Sequence, residues 1–251
     1  MALPIRFAKQ GSARKVRYSE LSRQPLYMLV FLLPLIICYE IALSANKHIQ
    51  IKAHDHLVRF FEQIDIPPTQ GLWLGGIAIV TTLLIWHIFT NNKWAIKIHV
   101  IAFMAIESIA FALPLLFFGA VIGGYVAAAT PTSISSLGLF EKISVSIGAG
   151  LYEELLFRMI IIACIHTLVC NLFKRSEIAG LTIGVVISAI LFALYHDLPD
   201  TGSMSASNLF FLFIAGLYLG FLYVIRGFGI VAATHAAYDV VAITLPASLS
   251  P

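Results

Sequence analysis

Three short stretches of this chain carry side chains able to do acid–base chemistry, and each is set in strongly apolar surroundings. Tyr152-Glu153-Glu154-Leu155-Leu156-Phe157-Arg158 lies between ISVSIGAGL and MIIIACIHTLV; Phe192-Ala193-Leu194-Tyr195-His196 and His235-Ala236-Ala237-Tyr238-Asp239 follow later. In the first stretch Glu154 and Arg158 are four residues apart. On a helix they stack on one face and can pair. Glu153 points about 100° away by the 3.6-residue repeat, and its i+4 neighbour, Phe157, cannot neutralise it. Glu154 is therefore expected to be structural and Glu153 chemical. An uncompensated carboxyl group in an apolar cavity suits a base that takes a proton from water near neutral pH and hands it on.

The other two stretches show the same spacing. His235 and Asp239 share a helical face, and so do Phe192 and His196, which lets the Phe192 ring wall the imidazole. Glu153, His196 and His235 together supply one acid–base group and two imidazoles. Two chemistries suit that set. In one, Glu153 and His196 activate a water while His235 stabilises the oxyanion. In the other, His196, His235 and Glu153 hold a metal, as in two-His-one-Glu zinc sites. Taken singly, these features have plain structural explanations: a Glu154–Arg158 pair is often a clasp, and an intramembrane histidine is often a packing residue. Their joint presence sets them apart, because each ionisable group at mid-membrane costs at least about 2.5–3.5 kcal/mol.

The elements that must position these groups are membrane helices. The chain has 251 residues, 59% hydrophobic and 12% charged, with a mean hydropathy of +0.91. Soluble domains run at about 45–50% apolar and about a quarter charged, so the composition indicates an all-α, polytopic transmembrane bundle with no separate soluble domain. A span needs about 20 mostly apolar residues. Seven are expected, at 26–45, 71–90, 97–120, 143–171, 178–196, 208–225 and 229–246. The third contains Pro114 and could continue to Ala129; an eighth span is a weaker alternative. Residues 1–25 form a basic arm, 26–140 the N-terminal helices, and 141–246 a helical core that carries the chemistry. The start is too basic and polar for a signal peptide, and the apolar run after it lacks a small-residue cleavage site.

Basic residues set the orientation. Arg6, Lys9, Arg14, Lys15, Arg17 and Arg23 precede the first span, and Lys93, Lys97, Lys174, Arg175 and Arg226 follow the even-numbered ones. On the opposite side Lys47, Lys52, Arg59 and Lys142 are diluted by Asp55, Glu62, Asp65 and Glu141. A cytoplasmic N-terminus, a C-terminus outside and residence in a prokaryotic plasma membrane are expected. The stretch 48–64 reads as an interfacial amphipathic helix, with His48, His54 and His56 as solvated loop residues. Cys38, Cys164 and Cys170 fall in apolar segments and are expected to be buried thiols rather than a disulfide framework. Glu40 is expected to reach the interface and Glu107 to be buried against the bundle. The net charge of +3 is modest and sits in loops, so no nucleic-acid partner is expected.

The three motifs, in this order on successive late helices, resemble those of the CPBP family, the CAAX prenyl proteases and bacteriocin-processing enzymes, also called Abi. The family pattern is EExxxR, then FxxxH, then HxxxN or HxxxD. It is matched by Glu153, Glu154 and Arg158; by Phe192 and His196; and by His235 and Asp239, over roughly residues 140–245. The resemblance implies an intramembrane endopeptidase of the glutamic type, an all-helical core around a conical cavity, and a membrane-anchored protein or peptide as substrate. By carry-over, Glu153 and His196 would activate the water, His235 and Asp239 would form the oxyanion site, and Glu154 and Arg158 would hold the helix. No cofactor is expected, with zinc as the minority alternative. Asp239 stands where the family often has Asn, and an ionised aspartate cannot donate to an oxyanion. Orienting His235 and favouring its imidazolium is the role preferred for it.

The rival from another class is a proton-coupled transporter or a non-catalytic scaffold. The lack of an internal repeat counts against the transporter, and the retention of every chemical residue counts against the scaffold. One geometric condition remains. Straight full-length spans would hold His196 and His235 on the order of 20 Å apart at 1.5 Å per residue. They meet only if the helix bearing His196 stops short or the one bearing His235 starts deep, with HDLPDTG or RGFG supplying broken backbone.

Overall fold

A computed structural model describes residues 17–45, 49, 51–63, 65, 67–122, 137–197 and 206–244. Arg6, Lys9, Arg14, Lys15, Lys47, His48, the continuation of the third span to Ala129 and most of the HDLPDTG segment lie outside the described residues. The described chain is helical, with no strand: α1 Tyr18–Leu21, α2 Pro25–Ala45, α3 Lys52–Glu62, α4 Pro68–Thr90, α5 Ile98–Ile122, α6 Leu139–Leu172, α7 Glu177–Asp197, α8 Ala206–Arg226 and α9 Phe228–Thr244. Six of these are long and apolar enough to cross a membrane, and α9 is a shorter apolar helix. The chain is thus a polytopic helical membrane bundle. Pro34 and Pro114 lie inside α2 and α5.

Long apolar runs form helices here because only intrasegment hydrogen bonding satisfies the backbone in lipid. Large apolar side chains such as Ile106, Phe117 and Val121 face outward. Two apolar clusters fill the interior. One joins α2, α4, α5, α6 and α9, and the other joins α5, α6, α7, α8 and α9. α9 belongs to both and is the axis of the bundle, buried along most of its length from Phe228 to Ala236. It packs closely on α6 because α6 offers Gly150 there. A Cβ on Gly150 would meet the Ala232 carbonyl oxygen at 2.5 Å and the Ala236 nitrogen at 2.7 Å.

The helix bearing His235 starts deep. Gly227, with φ +85, breaks the chain between α8 and α9 in a conformation that favours glycine. Just before it, Arg226 is buried, and its Nη2 donates to Glu107 Oε2 at 2.6 Å and to Ser22 Oγ at 3.2 Å. The Tyr18 hydroxyl donates to the same Glu107 oxygen at 2.5 Å. Glu107 lies nine residues into α5, roughly 13 Å along that helix at 1.5 Å per residue. α9 therefore begins at that depth, and Ser108 Oγ, at 3.4 Å from the Ile230 carbonyl, continues the contact. The two histidines come within reach in this way. The same pair corrects the charge count: Arg226 is neutralised inside the bundle and is not a loop cation. Glu107 packs against the bundle but is half-buried rather than buried, with α1 and the end of α8 as its partners.

Three expectations about polar side chains need correction. His54 is not a solvated loop residue. It is fully buried, its ring stacks on Tyr152 at 4.5 Å and 2°, and its Nδ1 is 3.1 Å from the Tyr39 hydroxyl. His56 is exposed, as expected. Glu40 does not reach the interface. It is buried and accepts a hydrogen bond from the Tyr152 hydroxyl, and a Cβ on Gly76 would lie 2.8 Å from its Oε1. These contacts hold α2 and α3 against α6, and α2 against α4. The thiols are free but not buried: Cys164 is exposed, and Cys38 and Cys170 are half-buried. An apolar segment can turn a thiol to lipid as readily as to protein.

Candidate active site

α6 presents Glu153 and Glu154 at the point where its winding changes. The helix is regular over Leu139–Glu154 and becomes π-helical over Leu155–Ile161. Single-turn π segments are rare and frequent at functional sites. The segment is tied to α7, where Ser188 Oγ donates to the Phe157 carbonyl at 2.7 Å. Glu154 and Arg158 remain a pair through this turn, Nη1 to Oε1 at 2.8 Å, with both side chains fully buried. Arg158 Nη2 also lies 3.4 Å from the Gly216 carbonyl of α8.

Glu154 does more than clasp its own helix. The same oxygen, Oε1, accepts from His235 Nδ1 at 2.7 Å. The ring of His235 is therefore held at Nδ1 by Glu154. Asp239, expected to orient His235, lies on the other side of the ring, with Oδ2 3.5 Å from Nε2. Spacing within one helix favoured Asp239, whereas the shorter contact comes across from α6.

Glu153 points to a different place, as its helical offset requires. Its Oε2 is buried and has no hydrogen-bond partner among the described residues. That oxygen is 3.5 Å from His196 Nε2 and 4.0 Å from His235 Nε2. His196 is the penultimate residue of α7. Its Nδ1 donates to the Phe192 carbonyl at 2.9 Å, which leaves Nε2 turned toward Glu153. Phe192 walls the space: its ring centroid is 4.6 Å from that of His196 and 5.9 Å from that of His235, and the Arg158 guanidinium sits 4.4 Å over it. A cation at that distance from a ring face is attracted to it.

Glu153, Glu154, Arg158, Phe192, His196, His235 and Asp239 thus stand together around one buried point. Two side chains that support it were not expected from sequence. Tyr152 anchors the α6 backbone next to Glu153 through Glu40, and His54 stacks on that ring. The signal available was the presence of Glu40 inside an apolar span, but nothing local named its partner. Among the described residues no group of three or more His, Cys, Asp or Glu is arranged to hold a metal ion.

Residues 135–241 match the family model of the type II CAAX prenyl endopeptidases, Rce1-like. That range contains every one of the seven side chains from Glu153 to Asp239 named above. No curated protein and no solved structure matches the chain significantly. For a helical membrane bundle, this match supports in general terms an intramembrane protease of the CAAX type. Over residues 135–241 the chain is similar to the Rce1-like CAAX protease family, as its three motifs implied.

Proposed function

We propose that this protein hydrolyses a peptide bond of a membrane-anchored protein or peptide with water activated by Glu153 and His196, without a metal. The observation that carries this reading is the Glu153 oxygen: buried, unpaired among the described residues, and 3.5 Å from an imidazole nitrogen already oriented by its own backbone. A water bridging Glu153 Oε2 and His196 Nε2 gives its proton to Glu153 as its oxygen attacks the carbonyl carbon. His235 Nε2, facing the same point from the other side, donates to the oxygen that gains charge. When the tetrahedral intermediate collapses, the C–N bond breaks and the proton passes from Glu153 to the leaving amine. Asp239, 3.5 Å from His235 Nε2, steers that ring without pairing tightly. Glu154 and Arg158 fix the other side of it.

The reading extends to placement. Seven apolar helices in alternation, with Lys93, Lys97, Lys174 and Arg175 on one side, support a cytoplasmic N-terminus and a C-terminus outside, in a prokaryotic plasma membrane. The substrate classes implied by the family resemblance are prenylated CAAX proteins, leader peptides, bacteriocin precursors and C-terminal sorting tails.

The test uses purified full-length protein in lipid nanodiscs and a panel of membrane-anchored peptides representing those classes. Cleavage is expected, is expected to survive chelators, and is expected to vanish in Glu153→Gln while the protein still folds. Normal cleavage by Glu153→Gln would overturn the assignment, and loss of cleavage on chelation, restored by zinc, would replace water activation by Glu153 with metal chemistry.

A further inference from the structure

The oxyanion side of this reaction is short of donors. An ionised Asp239 can only accept, and His235 gives Nδ1 to Glu154, which leaves it one nitrogen for the substrate. A spare hydroxyl stands nearby. Tyr195 precedes His196 on α7, and its ring packs edge-on to Phe157 at 5.3 Å and lies 5.6 Å from His196. The His56 ring of α3 lies 5.8 Å from that of Tyr195. Its hydroxyl is buried and has no hydrogen-bond partner among the described residues.

Buried hydroxyls in folded proteins are nearly always paired. A phenol is also among the better neutral donors that a protein has, and its ring needs no extra partner to be held here. An unpaired O–H on the ring packed against His196 is therefore a donor whose acceptor arrives with the substrate. We propose that Tyr195 donates a hydrogen bond to the carbonyl oxygen of the scissile peptide and acts with His235 as the second donor to the oxyanion.

This proposal rests on the peptidase reading above. No bond to Tyr195 forms or breaks. As water attacks the carbonyl carbon, the electron pair of the C=O bond moves onto oxygen, and the Tyr195 O–H shortens its contact with the charge that develops. When the C–N bond breaks, the pair returns and the contact relaxes.

The test compares Tyr195→Phe, Tyr195→Leu and Glu153→Gln with the wild type, on whichever membrane-anchored peptide of the panel the wild type cleaves fastest. Loss of one oxyanion donor typically costs about 100- to 1,000-fold in kcat. Tyr195→Phe should lower kcat by about 100-fold, leave KM within a few-fold, keep the shape of the pH profile and leave the melting temperature at or above the wild-type value. A kcat within a few-fold of wild type in Tyr195→Phe, with loss only in Tyr195→Leu, would mean that the ring matters and the hydroxyl does not. A displaced acidic limb in the pH profile would mean that Tyr195 acts through Glu153, and either result overturns the proposal. Inactive Glu153→Gln beside a fully active Tyr195→Phe sinks this proposal alone. An active Glu153→Gln, or a wild type that cleaves nothing in the panel, sinks the peptidase reading and this proposal with it.

Discussion

His235 Nδ1 and Arg158 Nη1 share one acceptor, Glu154 Oε1, at 2.7 Å and 2.8 Å. The carboxylate that sequence spacing marks as a helix clasp is thereby also the support of an imidazole on another helix. Breaking a buried ion pair by removing one partner typically costs about 3–5 kcal/mol, because the other charge is left uncompensated. Glu154→Ala is therefore expected to lower the melting temperature strongly in detergent. It should also lower cleavage more than its loss of folded protein explains, since His235 loses its anchor. Activity per folded molecule, measured at a temperature where the variant is intact, checks this. Unchanged specific activity would confine Glu154 to the clasp.

Phe192 connects three functional groups by its ring alone. It lies under the Arg158 guanidinium at 4.4 Å, beside His196 at 4.6 Å, and edge-on to Phe157 at 5.3 Å. Truncating a buried phenylalanine to alanine typically costs about 3–5 kcal/mol. Phe192→Ala should fall in that range, and Phe192→Leu should keep more stability but lose the wall that fixes the His196 ring. The expected order in thermal unfolding is wild type, Leu, Ala, with cleavage falling in both variants. A Leu variant with full activity would show that the wall is dispensable.

The spans and the three motifs were legible in the sequence for a physical reason. Membrane helices announce themselves by length and apolarity, and i+4 spacing states which side chains share a face. The predicted spans differ from α2, α5, α7, α8 and α9 by only a few residues at their ends. What was hidden depends on contacts between segments far apart in the chain. Glu40 meets Tyr152 across 112 positions, and Glu107 meets Arg226 across 119. No periodicity links such pairs. For that reason His54 looked like a loop residue, Arg226 looked like a loop cation, and the depth of α9 could be posed only as a condition. At His235 the neighbour on its own helix, Asp239, was visible in the spacing, and the second one, Glu154 on α6, was not.

Gly150 sets how closely α6 and α9 approach. Alanine is about 1 kcal/mol better than glycine inside a helix, so Gly150→Ala would stabilise α6 if propensity ruled. The added Cβ would instead sit 2.5 Å from the Ala232 carbonyl and 2.7 Å from the Ala236 nitrogen, both main-chain atoms that cannot rotate away. Overpacking of this kind typically costs about 1–3 kcal/mol. Gly150→Ala is expected to lower the melting temperature and to push His235 away from Glu153. Stabilisation of the variant in a detergent melt would contradict the close contact.

The Glu107–Arg226 pair fixes the depth at which α9 begins, and so the height of His235 in the bundle. Its N–O distance is 2.6 Å, and the two side chains keep 22% and 11% of their exposure. Solvent screening is partial there, and a charged hydrogen bond of this sort is worth about 1.5–3 kcal/mol. Glu107→Leu leaves the guanidinium with Ser22 and the Tyr18 ring as its neighbours and should destabilise by about that amount. Arg226→Met leaves Glu107 with the Tyr18 hydroxyl and should cost less. The double variant should recover part of the loss, because two apolar side chains replace a pair whose desolvation was already costly. Thermal unfolding of the four proteins in one detergent gives the coupling energy directly. Strictly additive effects would mean that the pair does not hold the start of α9, and the depth of His235 would then have to come from the packing of Phe228 and Gly227 alone.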